Sequence, residues 1–154
     1  MIDFDLYTME HNNNPVESSI FLKHYTDDNY EEYKRIYEDC FCEMRTALEL
    51  HPINAGDSRE ELLCKADDVY IYVLDKELIG SVSIFNNEID DLIVAKKHQR
   101  KGYGRLFLNF AVDRMQRKNI SPITLSVTDW NKGAIKLYLD NGFYITKTET
   151  IKRT

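Results

Sequence analysis

The sequence has few cysteines and none of the spacings that cysteine-based sites require. Its three cysteines, Cys40, Cys42 and Cys64, are odd in number and include no CxxC pair. Cys40 and Cys42 lie two apart on a predicted helix, so they point to different faces. A disulfide framework and a zinc site are therefore not expected, and reduced thiols in a cytoplasmic protein fit the pattern. The four histidines show no ligand spacing such as HExxH, so no metal is predicted.

Long apolar runs and targeting signals are also missing. The longest apolar runs are strand-sized, such as residues 69–74, far short of the ~20 apolar residues of a membrane-spanning helix. Residues 1–5 have neither the basic nor the apolar region of a secretory signal peptide. No low-complexity tract and no long internal repeat is visible. These absences predict a folded protein without a membrane partner, a disordered tract or a solenoid.

The charge balance is acidic. Lys and Arg together number 20 and Asp and Glu 26, which gives a formal net charge of −6. Nucleic-acid binding needs clustered Lys and Arg against phosphates, so no nucleic-acid partner is expected. The negative balance fits a cationic substrate such as an amine. Ordinary solubility charge explains the same number equally well.

The length of 154 residues and the order of predicted elements indicate one domain over residues 18–154. Residues 1–17, which contain Asn12-Asn13-Asn14-Pro15, are predicted to be a tail or an extra edge segment. Predicted strands cover residues 19–24, 69–74, 78–86, 88–94, 123–127 and 143–151. Predicted helices cover residues 27–42, 58–66, 105–118 and 131–141. The order β-α-α-β-β-β-α-β-α-β predicts an α/β fold with a mixed sheet, in which a three-stranded meander precedes two β-α-β crossovers.

Helix signals support these boundaries. Asp27 or Asp28 can cap the first helix, and Ser58 followed by Glu61 forms a capping box that opens the second. On the first helix, apolar residues recur at spacings of three and four and predict one buried stripe. That stripe consists of Tyr30, Tyr33, Ile36, Tyr37, Cys40 and Phe41.

The loop from Gln99 to Gly104 lies between a predicted strand and a predicted helix. The N-terminus of a helix leaves backbone N–H groups unpaired and carries partial positive charge. Gly102 and Gly104 let the backbone approach an anion closely, and Arg100, Lys101 and Arg105 add charge. Together these features predict a pyrophosphate site.

Two other phosphate motifs do not fit this loop. A P-loop requires GxxxxGK[ST], which occurs nowhere in the chain. A dinucleotide fingerprint requires a third glycine, whereas the chain continues from Gly104 through Arg105 and Leu106 to Phe107. Nucleotide hydrolysis and NAD binding are therefore not supported. A basic, glycine-bearing turn without a ligand remains the alternative.

Two blocks together resemble the GCN5-related N-acetyltransferase (GNAT) superfamily. Gln99 to Gly104 matches the acetyl-CoA loop pattern Q/R-x-x-G-x-G/A at every specified position. Residues 131–143 resemble the family segment N-x-x-A-x-x-L-Y followed by GF, through Asn131, Ala134, Leu137, Tyr138 and the pair Gly142-Phe143. The resemblance extends from about residue 19 to the C-terminus and is specific over residues 70–143. It implies the GNAT fold with a splayed central strand pair, and acetyl-CoA as cosubstrate.

The resemblance also implies the residues that bind acetyl-CoA. The backbone of Leu92, Ile93 and Val94 would pair with pantetheine as if with an extra strand. Gln99 opens the loop, and the amides of Arg100, Lys101, Gly102, Tyr103, Gly104 and Arg105 would meet the pyrophosphate. Asn131 would contact the pantetheine or phosphate arm. A homodimer is compatible with the family but is not predicted by any feature of this sequence.

The resemblance implies acetyl transfer to a primary amine by direct attack. An alkyl amine has a pKa near 10.4, so holding it neutral at pH 7 costs roughly 4–5 kcal/mol and requires a base. Glu88 stands in the position of the base glutamate of the histone-acetylating branch, Asp90 is the second candidate, and a water chain in place of a side-chain base stays open. Strand alternation predicts that Glu88 and Asp90 share one face and that Asp91 lies on the other. Tyr138 would lie near the thioester sulfur and act as the acid, because a tyrosine is protonated at pH 7.

Two questions stay open at this point. A catalytically inactive GNAT-fold module that binds CoA for sensing is the alternative to an enzyme. The acceptor, which is a small-molecule amine or a peptide or protein amine, is not identified by any motif. The length of the acyl chain is also undetermined.

Overall fold

The computed structural model describes residues 2–153 and has helices packed on both faces of one sheet. Its helices are α1 (Tyr30–Ala47), α2 (Arg59–Cys64), α3 (Tyr103–Arg117) and α4 (Lys132–Asp140). Its strands are β1 (Phe4–His11), β2 (Lys23–His24), β3 (Val69–Leu74), β4 (Glu77–Phe85), β5 (Glu88–Val94), β6 (Thr124–Thr128) and β7 (Phe143–Ile151). The predicted mixed α/β fold is confirmed. No helix within residues 2–153 is long and apolar enough to span a bilayer.

The strands of the described chain form one sheet in the order β2-β3-β4-β5-β6-β1-β7. β3, β4 and β5 are the predicted antiparallel meander. β5 and β6 run parallel, which is the arrangement that a crossover through α3 produces. β7 does not pair with β6, because β1 lies antiparallel between them.

The N-terminal segment corrects one prediction. Residues 4–11 were expected within a tail or an extra edge segment, but they form β1, an interior strand. Met9 lies opposite Leu125 of β6 and Ile145 of β7, and it is fully buried. The backbone that follows is held against α3, since Val16 N–H donates to Gln116 and Ser18 N–H donates to Asp113. β1 therefore occupies the position between β6 and β7 in the sheet.

Two helix starts were predicted from capping residues, with different outcomes. The capping box of α2 is confirmed, because Glu61 N–H donates to Ser58 Oγ at 3.2 Å and Ser58 N–H donates to Glu61 Oε1 at 3.1 Å. Neither candidate caps the first helix, since α1 begins at Tyr30 after a 3-10 turn over Asp27–Asn29. Asp27 instead accepts two hydrogen bonds of 2.7 Å from Arg59.

The core has one part on each face of the sheet. Against α3 it contains Phe107, Leu108, Ala111 and Met115, each at most 1% exposed. Against α1 and α2 lies a second cluster, centred on Tyr33, Ile36, Leu62, Ile71 and Ile93. The predicted stripe of α1 belongs to this second cluster and is confirmed.

Gly80 shows how closely β4, β5 and α3 approach one another. A Cβ atom at this position would lie 2.3 Å from the Ile93 carbonyl oxygen and 2.6 Å from the Phe107 ring. No side chain fits there without moving the backbone. The absence of a side chain at Gly80 therefore lets β4 pack closely against β5 and against the Phe107 ring of α3.

Candidate active site

The splay between β5 and β6 opens a cavity. The two strands are paired at Glu88 and Thr124 and diverge beyond that point. The resulting cavity has a volume of about 780 Å³ and lies between β5, β6, the start of α3, the middle of α1 and α4. The expected splayed central pair is therefore present, and most of the candidate residues lie along its walls.

A β-bulge shapes the β5 wall of this cavity. Ser81 pairs with Ile93 and Ser83 pairs with Asp90, so Asp91 and Leu92 together lie opposite Val82 alone. Asp91 has a φ of 48°, a left-handed conformation that is uncommon outside glycine and is typical of bulges. The extra residue interrupts the alternation of side chains along β5. As a result, Asp90 and Asp91 both line the cavity.

Asp91 is the carboxylate with the most perturbed environment. The pKa of Asp91 is raised to about 7, chiefly by burial and also by the negative charges of Asp90 and Asp57, against the opposing effects of Lys65 and of a hydrogen bond from Tyr37. The Tyr37 hydroxyl lies 3.4 Å from Asp91 Oδ1. A carboxyl group with a pKa near neutrality can accept a proton and release it at physiological pH.

The start of α3 forms the basic end of the cavity. Gly102 has a φ of 87° at the N-cap position, and a Cβ atom there would meet nothing within 4 Å. The amides of Tyr103, Gly104 and Arg105 belong to the first helical turn, where no intrahelical acceptor exists. Arg100 and Arg105 also line this end. Open space, unpaired N–H groups and two guanidinium groups fit a pyrophosphate group.

The C-terminal end of β5 connects this loop to the cavity. The Val94 carbonyl accepts hydrogen bonds from Gln99 Nε2 at 3.0 Å and from Cys40 Sγ at 3.2 Å. Gln99 therefore ties the loop to β5. Leu92 and Val94 line the cavity, whereas the Ile93 side chain is buried against α1, so Ile93 can contribute to the cavity only through its backbone.

The α4 wall contributes Asn131 and Tyr138. Asn131 Oδ1 accepts a hydrogen bond of 3.1 Å from Ala134 N–H and so caps α4, which leaves its amide N–H groups to face the cavity that it lines. The pKa of Tyr138 is raised to about 12, chiefly by burial and to a smaller extent by the charge of Asp90. Tyr138 therefore keeps its proton across the physiological range and can donate a hydrogen bond within the cavity.

Three predicted site residues do not present a side chain to this cavity. Lys101 projects from the loop into solvent, and Ile93 is buried on the other face of the sheet. Glu88 lies at the beginning of β5, where β5 and β6 are still paired, and it is not among the residues that line the cavity. Glu88 thus lies outside the lining of this cavity, and its role as the base stays a prediction. The other predicted residues line the cavity.

Sequence reasoning placed Asp91 on the wrong face of β5. Strict alternation put it opposite Asp90, and the bulge removes that alternation. The one available signal was the pair Asp90-Asp91 inside an otherwise apolar strand, because adjacent carboxylates are unfavourable in a regular buried strand.

A family comparison covers most of the chain. Residues 21–143 match the model of the acetyltransferase (GNAT) family. Among curated proteins, streptothricin acetyltransferase A of Bacillus subtilis is 28% identical over 87 residues, which are 53% of this chain and 50% of that protein. The chain thus spans about half the length of the curated relative that it matches.

Solved structures share the fold. A PaiA N-acetyltransferase of Thermoplasma acidophilum in complex with coenzyme A has a TM-score of 0.69 at 20% identity, over 85% of this chain and 93% of that chain. A GCN5-related N-acetyltransferase of Sphaerobacter thermophilus has a TM-score of 0.65 at 14% identity, over 96% of this chain and 50% of that chain.

Proposed function

Because this chain belongs to the acetyltransferase (GNAT) family, we propose that it transfers an acetyl group from acetyl-CoA to a primary amine by direct attack in a ternary complex. The observation that carries the proposal is a single cavity that joins a neutral-pKa carboxylate, a protonated tyrosine and the N-terminus of a helix. An inactive module that only binds CoA would need the helix N-terminus. It would not need the carboxylate or the protonated tyrosine.

Acetyl-CoA supplies a thioester carbonyl, and the chain supplies the groups that bind and orient it. The amides of residues 103–105, with Arg100 and Arg105, would hold the pyrophosphate. The backbone edge of β5 from Leu92 to Val94 would pair with the pantetheine arm, because β6 has diverged from it. Asn131 would donate from its free amide group to the same arm.

Asp91 is the general base of the proposal, in place of Glu88. It would take a proton from the attacking nitrogen, directly or through one water molecule, as the N–C bond forms. Its pKa of about 7 keeps a large fraction of it ionised at pH 7, whereas a normal carboxylate would be a much weaker base. Asp90, more exposed than Asp91, would keep the amine entrance negative and so attract a cationic acceptor.

Tyr138 would stabilise the sulfur as the C–S bond breaks. A thiol has a pKa near 8.5, well below the pKa of about 12 that burial gives Tyr138. Complete proton transfer from tyrosine to thiolate is therefore uphill, and Tyr138 contributes chiefly as a hydrogen-bond donor. The proton that the amine loses can reach the thiolate afterwards from Asp91 or from solvent.

Acetyl-CoA-dependent release of free thiol, measured across a panel of primary amines, tests the proposal. We expect turnover by the wild-type chain and its loss in Asp91→Asn, while Glu88→Gln separates the two assignments of the base. Loss of turnover in Glu88→Gln with activity retained in Asp91→Asn would restore the original assignment. Binding of acetyl-CoA by calorimetry without turnover of any amine would favour the binding module.

Cysteine chemistry bears on the cellular location. Cys40, Cys42 and Cys64 are all free thiols, which fits a reducing compartment. We propose the cytoplasm, where acetyl-CoA is also available to the enzyme.

A further inference from the structure

Tyr37 of α1 contacts the proposed base from outside the cavity between β5 and β6. Its hydroxyl donates a hydrogen bond of 3.4 Å to Asp91 Oδ1. Asp91 lines the cavity, whereas Tyr37 does not. The other carboxyl oxygen, Asp91 Oδ2, accepts no hydrogen bond within residues 2–153. One oxygen of the base is therefore held by the protein, and the second is available to an acceptor.

Packing fixes the position of the Tyr37 ring. The rings of Tyr33 and Phe41, one helical turn to either side, have their centroids 6.1 Å and 4.7 Å from that of Tyr37. The loop before α2 also packs against the ring, because a Cβ atom on Gly56 would lie 3.0 Å from Tyr37 Cδ1. A side chain that is locked in this way holds its hydroxyl in place and can orient a neighbouring group.

Tyr37 acts as a neutral donor throughout the physiological range. Burial raises the pKa of its hydroxyl above the ordinary value of 10.0, and the negative charges of Asp91, Asp57 and Asp90 add to this effect. Tyr37 therefore keeps its proton when Asp91 is ionised. A hydrogen bond donated to a carboxylate favours its ionised form.

The charged groups around Asp91 come from β5 and from the region of α2. Asp90 precedes Asp91 on β5, and Asp57 and Lys65 lie before and after α2. Asp57 and Lys65 form an ion pair with each other, and their charges have opposite effects on the pKa of Asp91. No cation forms an ion pair with Asp91 itself within the described chain. From α1, Tyr33 is also close, and burial and the charge of Asp91 raise its pKa, so it is neutral.

We propose that Tyr37 is a positioning residue of the acetyl transfer, which holds Asp91 Oδ1 and so directs Oδ2 towards the attacking amine. This inference rests on the proposed function, in which Asp91 is the general base. As the N–C bond forms, one proton passes from the amine nitrogen to Oδ2 and the carboxylate becomes neutral, while Tyr37 keeps its own proton. Because Tyr37 donates to the ionised carboxyl group, it also enlarges the fraction of Asp91 that can accept a proton below pH 7.

Titration of Asp91 in the ligand-free protein tests the hydrogen bond independently of turnover. NMR of the aspartate carboxyl carbons follows the titration from pH 4 to 9, and Asp91→Asn identifies the signal. In the wild type we expect the pKa of Asp91 at about 7. In Tyr37→Phe, which keeps the ring and loses the donor, this pKa should rise by about half a pH unit.

The pH profile of kcat/KM tests the consequence for acetyl transfer, with the primary amine of the panel that is turned over fastest. A rise of half a pH unit in the pKa of the base makes Tyr37→Phe about threefold less active than the wild type at pH 6. This pH-dependent loss should disappear as the pH rises to 9. A merely structural role of Tyr37 would instead lower kcat/KM by the same factor at every pH.

Tyr30→Phe is the matched control, because it removes a hydroxyl from the same helix. The Tyr30 ring lies 5.3 Å from the Arg59 guanidinium group and does not line the cavity between β5 and β6. This variant should keep the wild-type titration and pH profile. An unchanged pKa of Asp91 in Tyr37→Phe, or a loss of kcat/KM that is independent of pH, would overturn the inference alone. Turnover retained in Asp91→Asn would overturn the proposed base, and this inference with it.

Discussion

Replacing Asp91 by asparagine should make the protein less active and, at high pH, more stable. In the folded state the carboxyl pKa rises from 3.8 to about 7, so folding disfavours the ionised form. Each pKa unit corresponds to about 1.4 kcal/mol, which gives a cost of about 4 kcal/mol once the group is fully ionised. The asparagine side chain of the variant has the same shape and no charge, and would avoid this cost.

The sign of the pH dependence follows from proton binding. The folded state binds the Asp91 proton more tightly than the unfolded chain does, so this group makes the free energy of unfolding fall as the pH rises from about 4 to 7. Above that range the contribution is constant. The stability difference between Asp91→Asn and wild type should therefore be near zero at pH 4 and grow to at most about 4 kcal/mol at pH 8.

Urea unfolding of both proteins at several pH values between 4 and 8 measures this difference. The contributions of the other titrating groups to the free energy of unfolding cancel when the two proteins are compared at the same pH. In parallel, the kcat/KM of the wild type should rise with pH around 7 as Asp91 ionises. A stability difference that is independent of pH, or a variant that is less stable at pH 8, would refute the assignment of a buried, weakly ionised carboxyl group.

Three further variants probe the rest of the site and the fold. Gly102→Asp should abolish acetyl-CoA binding measured by calorimetry, whereas Gly102→Asn, which has the same size and tolerates the left-handed φ of 87°, should retain most of it; equal loss in both would show that charge is not the cause. Tyr138→Phe should lower kcat on the order of 10² with little change in the dissociation constant of acetyl-CoA, and an unchanged kcat would remove Tyr138 from the mechanism. Gly80→Ala should destabilise the protein by at least about 2 kcal/mol in thermal or urea unfolding, because its methyl group would overlap the Ile93 carbonyl and the Phe107 ring; near-wild-type stability would show that β4 and β5 can separate.

Local patterns were sufficient to predict most of the elements. The strand-sized segments of β3 to β5, the apolar stripe of α1 and the capping box of Ser58 and Glu61 are all patterns within a few residues of the chain. The loop from Gln99 to Gly104 could also be predicted as a pyrophosphate site from local sequence, because the chemistry of a helix N-terminus and the conformation of glycine depend on consecutive residues.

The pairing of strands that are far apart in the sequence could not be predicted from such local patterns. β1 lies between β6 and β7, more than 110 residues later in the chain, and the sequence of Phe4 to His11 shows a strand-like segment without showing its neighbours. An interior strand and an extra edge strand have the same local pattern when one of their faces is half-exposed. The pairing of β1 with both β6 and β7 in the folded chain decides between them.

The proposed catalytic residues also depend partly on local sequence and partly on tertiary structure. The sequence by itself gave the family resemblance and predicted the pyrophosphate loop, Tyr138 as the acid and an acidic residue on β5 as the base. Our proposal of Asp91 as that residue rests on a bulge opposite Val82, which brings Asp91 to the lining of the cavity, and on the position of Glu88 at the paired end of the strand. A bulge arises from the fit between two strands, and the pKa of a carboxyl group arises from everything that surrounds it. Neither is a property of residues adjacent in the chain, so only the tertiary structure could decide them.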